Sequence, residues 1–434
     1  MTKIAFIGAG SGFGQRISAD ILAHPEFVDC TISLVDIHEG NLAGVHGYVQ
    51  DLIDRYNLPA KVEATTNRRE VLEGADYVVI AVAIGGPAYD GVPYYNEVQI
   101  PKKYGISQSV ADTCSIGAIF RMLRTGPEMV RIAHDIEDLC PDAWVLNYTN
   151  PMSMLCWAMT AASKIKMVGL CHSVQGTIWQ LGSYMGVPPE EIDYWCAGIN
   201  HMGWYLELRD KNRRDLYPRL REVADDPEVY KHDTVRFEIF KHFGYFVTES
   251  TPHMSEYVPY FRKTKELRDS FSLGESNPGP VAPEDRRHDW FEEIRKQLQD
   301  ADPSEGLKPS AEYASHIMRA LHTGIPFRFN GNVPNKGIIT NLSPDCSVEV
   351  PCLTDATGVR PCFVGEIPPQ LAALNMSNIA VHRLTVQAVL ERSKKKAYLA
   401  SILDPLTATQ CSLAQIREMF EELWTADAQW LTDY

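Results

Sequence analysis

The 434-residue chain is long enough for two or three domains, and its 45% hydrophobic and 22% charged residues are an ordinary globular balance. A net charge of −15, spread along the chain, argues against a nucleic-acid partner or an anionic membrane surface. No apolar run approaches the ~18 residues of a membrane span, and Met1-Thr2-Lys3 leads directly into a strand, so neither a membrane anchor nor a secretory signal is expected.

Lys3–Ile7 reads as an apolar strand that runs into Gly8-Ala9-Gly10-Ser11-Gly12-Phe13-Gly14, after which Arg16–Ala23 has helical spacing. Strand, glycine turn and helix are the dinucleotide-binding context, in which a pyrophosphate sits on the helix N-terminus. Phe13 stands at the strict third glycine position, with Gly12 and Gly14 on either side. The next strand, Thr31–Val35, ends in Asp36, close to the spacing of the carboxylate that holds a ribose 2′-hydroxyl. An acid there favours NAD over NADP; the other reading of Asp36 is a cap for the helix that follows. Asn41–Tyr56 and Arg69–Leu72 read as helices and Lys61–Thr65 as a strand. Asp76–Ala83 reads as a buried strand ending in Ile84-Gly85-Gly86, where a cofactor can lie close.

Helices are expected over Pro101–Tyr104, Ala118–Leu139 and from Met152, with strands at Ala143–Asn147 and Lys166–Leu170. Six strands with helical crossovers are the content of a Rossmann domain. After residue 172 the alternation is lost. Thr177–Met185, Leu216–Val223, Thr234–Phe243, Ser310–His322, Pro369–Arg392 and Ser412–Leu423 read as helices, and Trp204–Arg209 and Arg328–Cys362 as strand-rich. Glu256–Tyr260, interrupted by Pro259, reads as a loop or helix edge, and Arg262–Pro303 as a polar surface excursion or oligomer contact. The expected fold is α/β: an N-terminal Rossmann domain of the lactate/malate-dehydrogenase kind over 1–172, then an α+β domain over 173–434 for substrate binding and oligomerisation.

Chemistry concentrates at strand ends. Cys171 follows the sixth strand, and His201 ends a second apolar run, Ala197–Met202. A thiolate and an imidazole there are ligands for a divalent transition metal, by softness zinc, or else a structural cysteine and a packed histidine. The ten cysteines are scattered without a Cys-x-x-Cys pair, which suits unpaired thiols in a reducing cytoplasm. Asp112 is an acid behind the metal or a helix cap. Asn150 binds a sugar hydroxyl or caps the next helix. His172 and His253 are proton-transfer candidates or surface residues. Tyr257 and Tyr260 are packing residues or bases, and a tyrosine base needs a nearby cation to lower its pKa from near 10.

These pieces resemble glycoside hydrolase family 4. The resemblance rests on Gly8-Ala9-Gly10-Ser11, Ala111-Asp112-Thr113, Leu146-Asn147-Tyr148-Thr149-Asn150-Pro151-Met152 and Gly169-Leu170-Cys171-His172-Ser173-Val174-Gln175-Gly176-Thr177. It extends to Cys196–Met202, Phe243–Ser250, Asn341-Leu342 and Val348-Glu349-Val350, and so covers essentially the whole chain. Cys171-His172-Ser173-Val174 is the form associated with the α-galactosidases of that family. Ser115-Ile116-Gly117-Ala118 departs from the Gly-Pro-Gly-Gly that many members carry.

The resemblance implies NAD and Mn²⁺, the latter in place of zinc. It implies hydrolysis through oxidation at C3, proton removal at C2, loss of the C1 substituent, addition of water and return of the hydride, the exception noted among two-carboxylate glycosidases. By resemblance, Cys171 and His201 are metal ligands, and Asn150 binds sugar. Tyr257 falls at a position of a C2 base, and Asp112 or His172 at that of the acid. Gly8, Gly10, Ser11, Gly12, Phe13, Asp36, Ile84 and Asn150 form the cofactor set; Asn150, Ser173 and His253 form the substrate set. A small α-galactoside such as melibiose is the expected substrate, and a homodimer or homotetramer the expected assembly. The alternatives are the same machinery on an α-glucoside or α-uronide, a hydroxy-acid dehydrogenase, and an inactive NAD sensor.

Overall fold

The computed structural model describes residues 1–85, 92–278, 296 and 306–434. Gly86, and residues 279–295 and 297–303 of the polar stretch, lie outside the described residues. Six strands, β1 (Lys3–Ile7), β2 (Thr31–Val35), β3 (Lys61–Thr65), β4 (Tyr77–Ile80), β5 (Trp144–Asn147) and β6 (Lys166–Gly169), pair in parallel in the order β3-β2-β1-β4-β5-β6. That is the doubly wound Rossmann order, with the switch between β1 and β4. Ile4, Phe6, Ile32, Leu34, Val78–Ile80, Val145 and Leu146 are fully buried, as helices on both faces require.

The sheet does not stop at β6. β7 (Asp193–Ile199), β8 (Met202–Arg209), β9 (Phe327–Pro334), β10 (Ser347–Asp355) and β11 (Gly358–Pro361) continue it in antiparallel fashion, as β6-β9-β10-β7-β8 with β11 on β10. The join is narrow: Gly169 on β6 faces Asn332 on β9, and Glu349 on β10 faces Gly198 on β7. A Cβ at Gly169 would lie 2.5 Å from the Cys156 sulfur, so this crossing needs glycine. The molecule is therefore α/β, a Rossmann half with an α+β half.

Three differences from the sequence pattern have physical causes. The fourth strand is shorter than its apolar run, because from Ala81 the backbone leaves the ladder and Val82 N donates to Thr149 Oγ1 at 3.0 Å. Glu256 and Tyr257 close a helix, Thr251–Tyr257, that stops before Pro259, as the restriction on the residue ahead of a proline demands. Helices Lys394–Leu403 and Pro405–Gln410 bury only a few small or polar side chains and Leu406, so the sequence carries little apolar periodicity there.

Candidate active site

The glycine turn after β1 is a cradle. Gly8 has φ +83°, and a Cβ on it would meet Ala81 O at 2.4 Å; a Cβ on Gly14 would meet Ala9 O at 1.9 Å. Gly10 N donates to Asp36 Oδ2 at 2.8 Å, and His38 N to Asp36 Oδ1 at 2.8 Å. His38, not Asp36, caps the following helix, accepting from Asn41 N. Gly8, Asp36 and Ile84 line a cavity of about 790 Å³, and Ser11, Gly12, Phe13, Arg121 and Asn150 line an adjoining recess of about 450 Å³. Ser11 precedes the helix Gly12–Leu22 without capping it, and its buried hydroxyl has no partner among the described residues. An unsatisfied donor at a helix N-terminus, on a turn whose Gly8, Gly10 and Gly14 leave no room for a Cβ, fits a diphosphate. Phe13 packs on Tyr148 with ring centroids 4.7 Å apart, an apolar wall rather than a phosphate contact.

Next to this recess, four chain segments converge. Cys171 leaves β6 and His201 sits in the turn from β7 to β8. Asp112 lies in the loop before the helix Ser115–Leu139, and His253 and Tyr257 lie on Thr251–Tyr257. Cys171 Sγ is 3.4 Å from His201 Nε2. Two ligands each ~2.0–2.3 Å from one ion sit roughly that far apart, so the pair fits a bound transition metal. His201 Nδ1 is 2.8 Å from His253 Nε2, and His253 Nδ1 is 3.4 Å from Glu256 Oε2. An imidazole behind a ligand histidine orients its ring, and the Glu256 carboxylate lies beside that imidazole at ion-pair distance. Glu256 is anchored in turn by Ser109 N at 2.7 Å. The ligand atoms of Asp112, His201 and His253 lie within 4.8 Å of one another, and Glu249 Oε1 is 3.6 Å from His201 Nε2. Ser173 N and Oγ both approach the Cys171 sulfur, at 3.5 and 3.3 Å.

Asn150 Nδ2 donates to Asp112 Oδ2 at 3.0 Å, and Thr113 Oγ1 to Asp112 Oδ1 at 2.8 Å. Neither Asp112 nor Asn150 caps a helix: the helices that follow begin after Cys114 and Pro151. Tyr257 is fully buried, its ring centroid 5.3 Å from that of His253 and 6.4 Å from that of His201. Its hydroxyl has no partner in good hydrogen-bond geometry among the described residues; the nearby Thr113 hydroxyl donates its own proton to Asp112. Tyr260, by contrast, is 43% exposed and lies at a tilt against Phe243. His172 is brought to the rim rather than into the cluster: its side chain is 65% exposed and Nδ1 lies 3.9 Å from Glu312 Oε1.

Ala111, His201 and Glu249 have φ of 55°, 64° and 77°. Left-handed backbone at non-glycine residues costs ~1–3 kcal/mol each and collects where side chains must be aimed. The electrostatics are strong. Burial opposes charge on His201, but the Cys171 sulfur and Glu249 outweigh it and raise its pKa to about 10. Burial likewise opposes ionisation of Asp112 and Glu249, yet the facing imidazoles, with Arg121 at Asp112, hold both at about 2. Burial first, then Cys114, Asp112 and Glu249, push the Tyr257 phenol well above 10, a shift that a cation bound among these groups would oppose. Glu249, Glu256 and Arg121 escaped sequence reasoning. Glu249 lies inside a family-like stretch but owes its place to a backbone turn with no glycine to mark it.

The family model described as Family 4 glycosyl hydrolase matches residues 3–187, and that for the Family 4 glycosyl hydrolase C-terminal domain matches residues 196–407. The chain is similar to an α-galactosidase of Bacillus subtilis (strain 168), 41% identical with all of both chains covered. It is also similar to an α-galactosidase of Rhizobium meliloti (strain 1021), 36% identical with all of this chain and 89% of that one covered. A 6-phospho-α-glucosidase from gut microorganisms, solved in complex with NAD and Mn²⁺, shares the fold with a TM-score of 0.80 at 22% identity, over 99% of this chain and 98% of that one. The protein belongs to glycosyl hydrolase family 4 and is a glycoside hydrolase.

Proposed function

We propose that this protein is an NAD- and Mn²⁺-dependent α-galactosidase acting on small α-galactosides. The observation that carries the reading is the Cys171–His201 pair at the carboxyl edge of a Rossmann sheet, beside a buried tyrosine hydroxyl with no partner. The full-length likeness to an α-galactosidase supports the sugar, and the NAD and Mn²⁺ of the gut glucosidase structure support the cofactors. A bound NAD would supply a reversible hydride acceptor for C3, and a bound metal would supply the positive charge that polarises sugar oxygens beside it.

The chain's own residues do the rest. Ser11 and the Gly8–Gly14 turn hold the diphosphate, and Asp36 the ribose. Cys171 and His201 Nε2 would hold the metal, with His253 orienting the His201 ring, Glu256 beside His253, and Glu249 close enough to His201 Nε2 to join them. Asn150, oriented by Asp112, donates to a sugar hydroxyl, and Ser173 lines the sugar, while His253, buried behind His201, serves that ring instead. Tyr257, once ionised to the phenolate that a bound cation would favour, takes the C2 proton. Asp112 is held ionised and so serves as an acceptor. His172, at the solvent rim beside Cys171, gives its proton to the departing group. Residues 1–172 serve as the NAD-binding unit and 173–434 as the substrate and oligomer unit. Ten unpaired cysteines support a cytoplasmic location, and exposed Trp179 and Phe363 support a homodimer or homotetramer. No described helix is long and apolar enough to cross a membrane.

The test is nitrophenol release from the α-galactoside, α-glucoside and α-uronides, with and without NAD⁺, Mn²⁺ and a thiol reductant. α-Galactoside hydrolysis that needs both additions and leaves no net NADH is expected. Full activity after verified removal of both refutes the mechanism, and activity only on another glycoside refutes the substrate.

A further inference from the structure

The adenosine end of the 790 Å³ cavity carries more charge than a ribose edge requires. Asp36, Arg68, Arg69, Glu128 and Asp135 all line it. Two arginines beside a ribose site are what a 2′-phosphate would need. Carboxylates hold both, Arg68 at two of its nitrogens and Arg69 at one. Arg68 Nε donates to Asp135 Oδ2 at 2.7 Å, and its Nη1 donates to Glu128 Oε1. Arg69 Nη1 donates to Asp135 Oδ1. Glu128 Oε2 accepts from Arg131 Nε at 2.6 Å, and Arg131 Nη1 reaches Asp433 at 3.2 Å, which ties the arrangement to the C-terminal segment. The Asp135 side chain is only 14% exposed, so its pairs are shielded from water and salt better than surface bridges. A guanidinium held and partly neutralised by carboxylates cannot turn freely to offer a bidentate face to a phosphate.

The geometry points to Asp135 and Glu128 as specificity-determining residues: by holding Arg68 and Arg69 they deny a 2′-phosphorylated dinucleotide its cationic partners, beyond the repulsion that Asp36 supplies. The inference rests on the cofactor reading above. It predicts an order of effects. Removing the Asp36 charge relieves repulsion but frees no cation. Removing the Asp135 charge frees Arg69 and loosens Arg68 but leaves Asp36 in place. Both changes together open the pocket to NADP⁺.

The experiment is calorimetric titration of the full chain, stripped of dinucleotide, with NAD⁺ and NADP⁺; it reads binding and needs no turnover. The wild type is expected to favour NAD⁺ by at least ~100-fold. Asp36→Ser should raise NADP⁺ affinity less than about 10-fold, and adding Asp135→Asn should raise it a further 10-fold or more. Glu128→Gln in the Asp36→Ser background tests the lock at a second carboxylate and should give a gain of the same sign. Adding Arg68→Met and Arg69→Met to the double variant should abolish the gain while NAD⁺ affinity stays within about threefold, so a loss of phosphate recognition is told from misfolding. A gain from Asp36→Ser that neither Asp135→Asn nor Glu128→Gln extends, or a gain that survives loss of both arginines, overturns the inference. A wild type that binds neither dinucleotide overturns the cofactor reading along with it.

Discussion

Tyr257→Phe should make the protein slightly more stable and nearly inactive. The ring is fully buried against His253 and His201, and the hydroxyl finds no partner among the described residues. A buried polar group left unpaired costs ~1–3 kcal/mol. Phenylalanine keeps the ring contacts and deletes only that group, so the metal-free, NAD-free protein should gain about 1–2 kcal/mol. For 434 residues the unfolding entropy is about 0.9 kcal/mol/K, so the melting temperature should rise by about one to two degrees. Activity moves the other way. If the phenol takes the C2 proton, its loss should lower kcat on the nitrophenyl α-galactoside by ~10²–10⁴-fold. The assay pairs a thermal melt of the stripped protein with steady-state rates in NAD⁺ and Mn²⁺, on one preparation. A melting temperature several degrees lower would mean that the hydroxyl is bonded in the folded protein. A kcat within about threefold of wild type would remove Tyr257 from the proton transfer.

Burial raises the pKa of Glu349 from 4.5 to about 7, and neither of its carboxylate oxygens is conventionally hydrogen-bonded. The unfolded chain ionises more easily, so this residue's share of stability is full below about pH 4.5 and is lost as pH rises through about 7, a loss of about 3 kcal/mol. Glu349→Gln should flatten that window in urea unfolding of the metal-free protein at pH 5 and 8; an unchanged slope would show the carboxyl to be solvated or paired. His172→Gln should slow an alkyl α-galactoside much more than the nitrophenyl one, whose leaving group needs little protonation, with ~10²-fold or more on the former; equal losses on both would contradict its role as acid. Cys171→Ser should weaken Mn²⁺ binding, read by calorimetry, by at least ~10-fold while leaving NAD⁺ affinity unchanged; wild-type Mn²⁺ affinity would take the thiolate out of the metal site.

The Rossmann half was legible because its signals are local. Continuous apolar runs, a glycine turn and an acid one strand later mark β1 to β6 to within a residue or three. The join from β6 to β9 was not legible, since it depends on one close crossing at Gly169 and on strands 160 residues later. Cys171, His201, Asp112, Asn150 and Tyr257 stand at strand ends or in recognisable motifs, so they were named in advance. Which of them touch was not, and the chain from His201 through His253 to Glu256 exists only because a short helix is laid across the β7–β8 turn. Glu249 carries no glycine or proline mark for its left-handed backbone, and Arg121 is one of several charged residues on a long helix. The pinning of Arg68 and Arg69 needs a helix some 60 residues away in sequence.

The central claim is that the glycosidic bond breaks by way of an exchangeable C2 proton, and hydrolysis in deuterium oxide tests it most directly. The α-galactoside is hydrolysed with NAD⁺ and Mn²⁺, and the released galactose is analysed by proton NMR. Loss of the C2 proton signal, with deuterium at that carbon in the product, is the predicted result. Galactose fully protonated at C2 after complete hydrolysis would contradict it, and would mean that Cys171, His201 and Tyr257 serve a different chemistry.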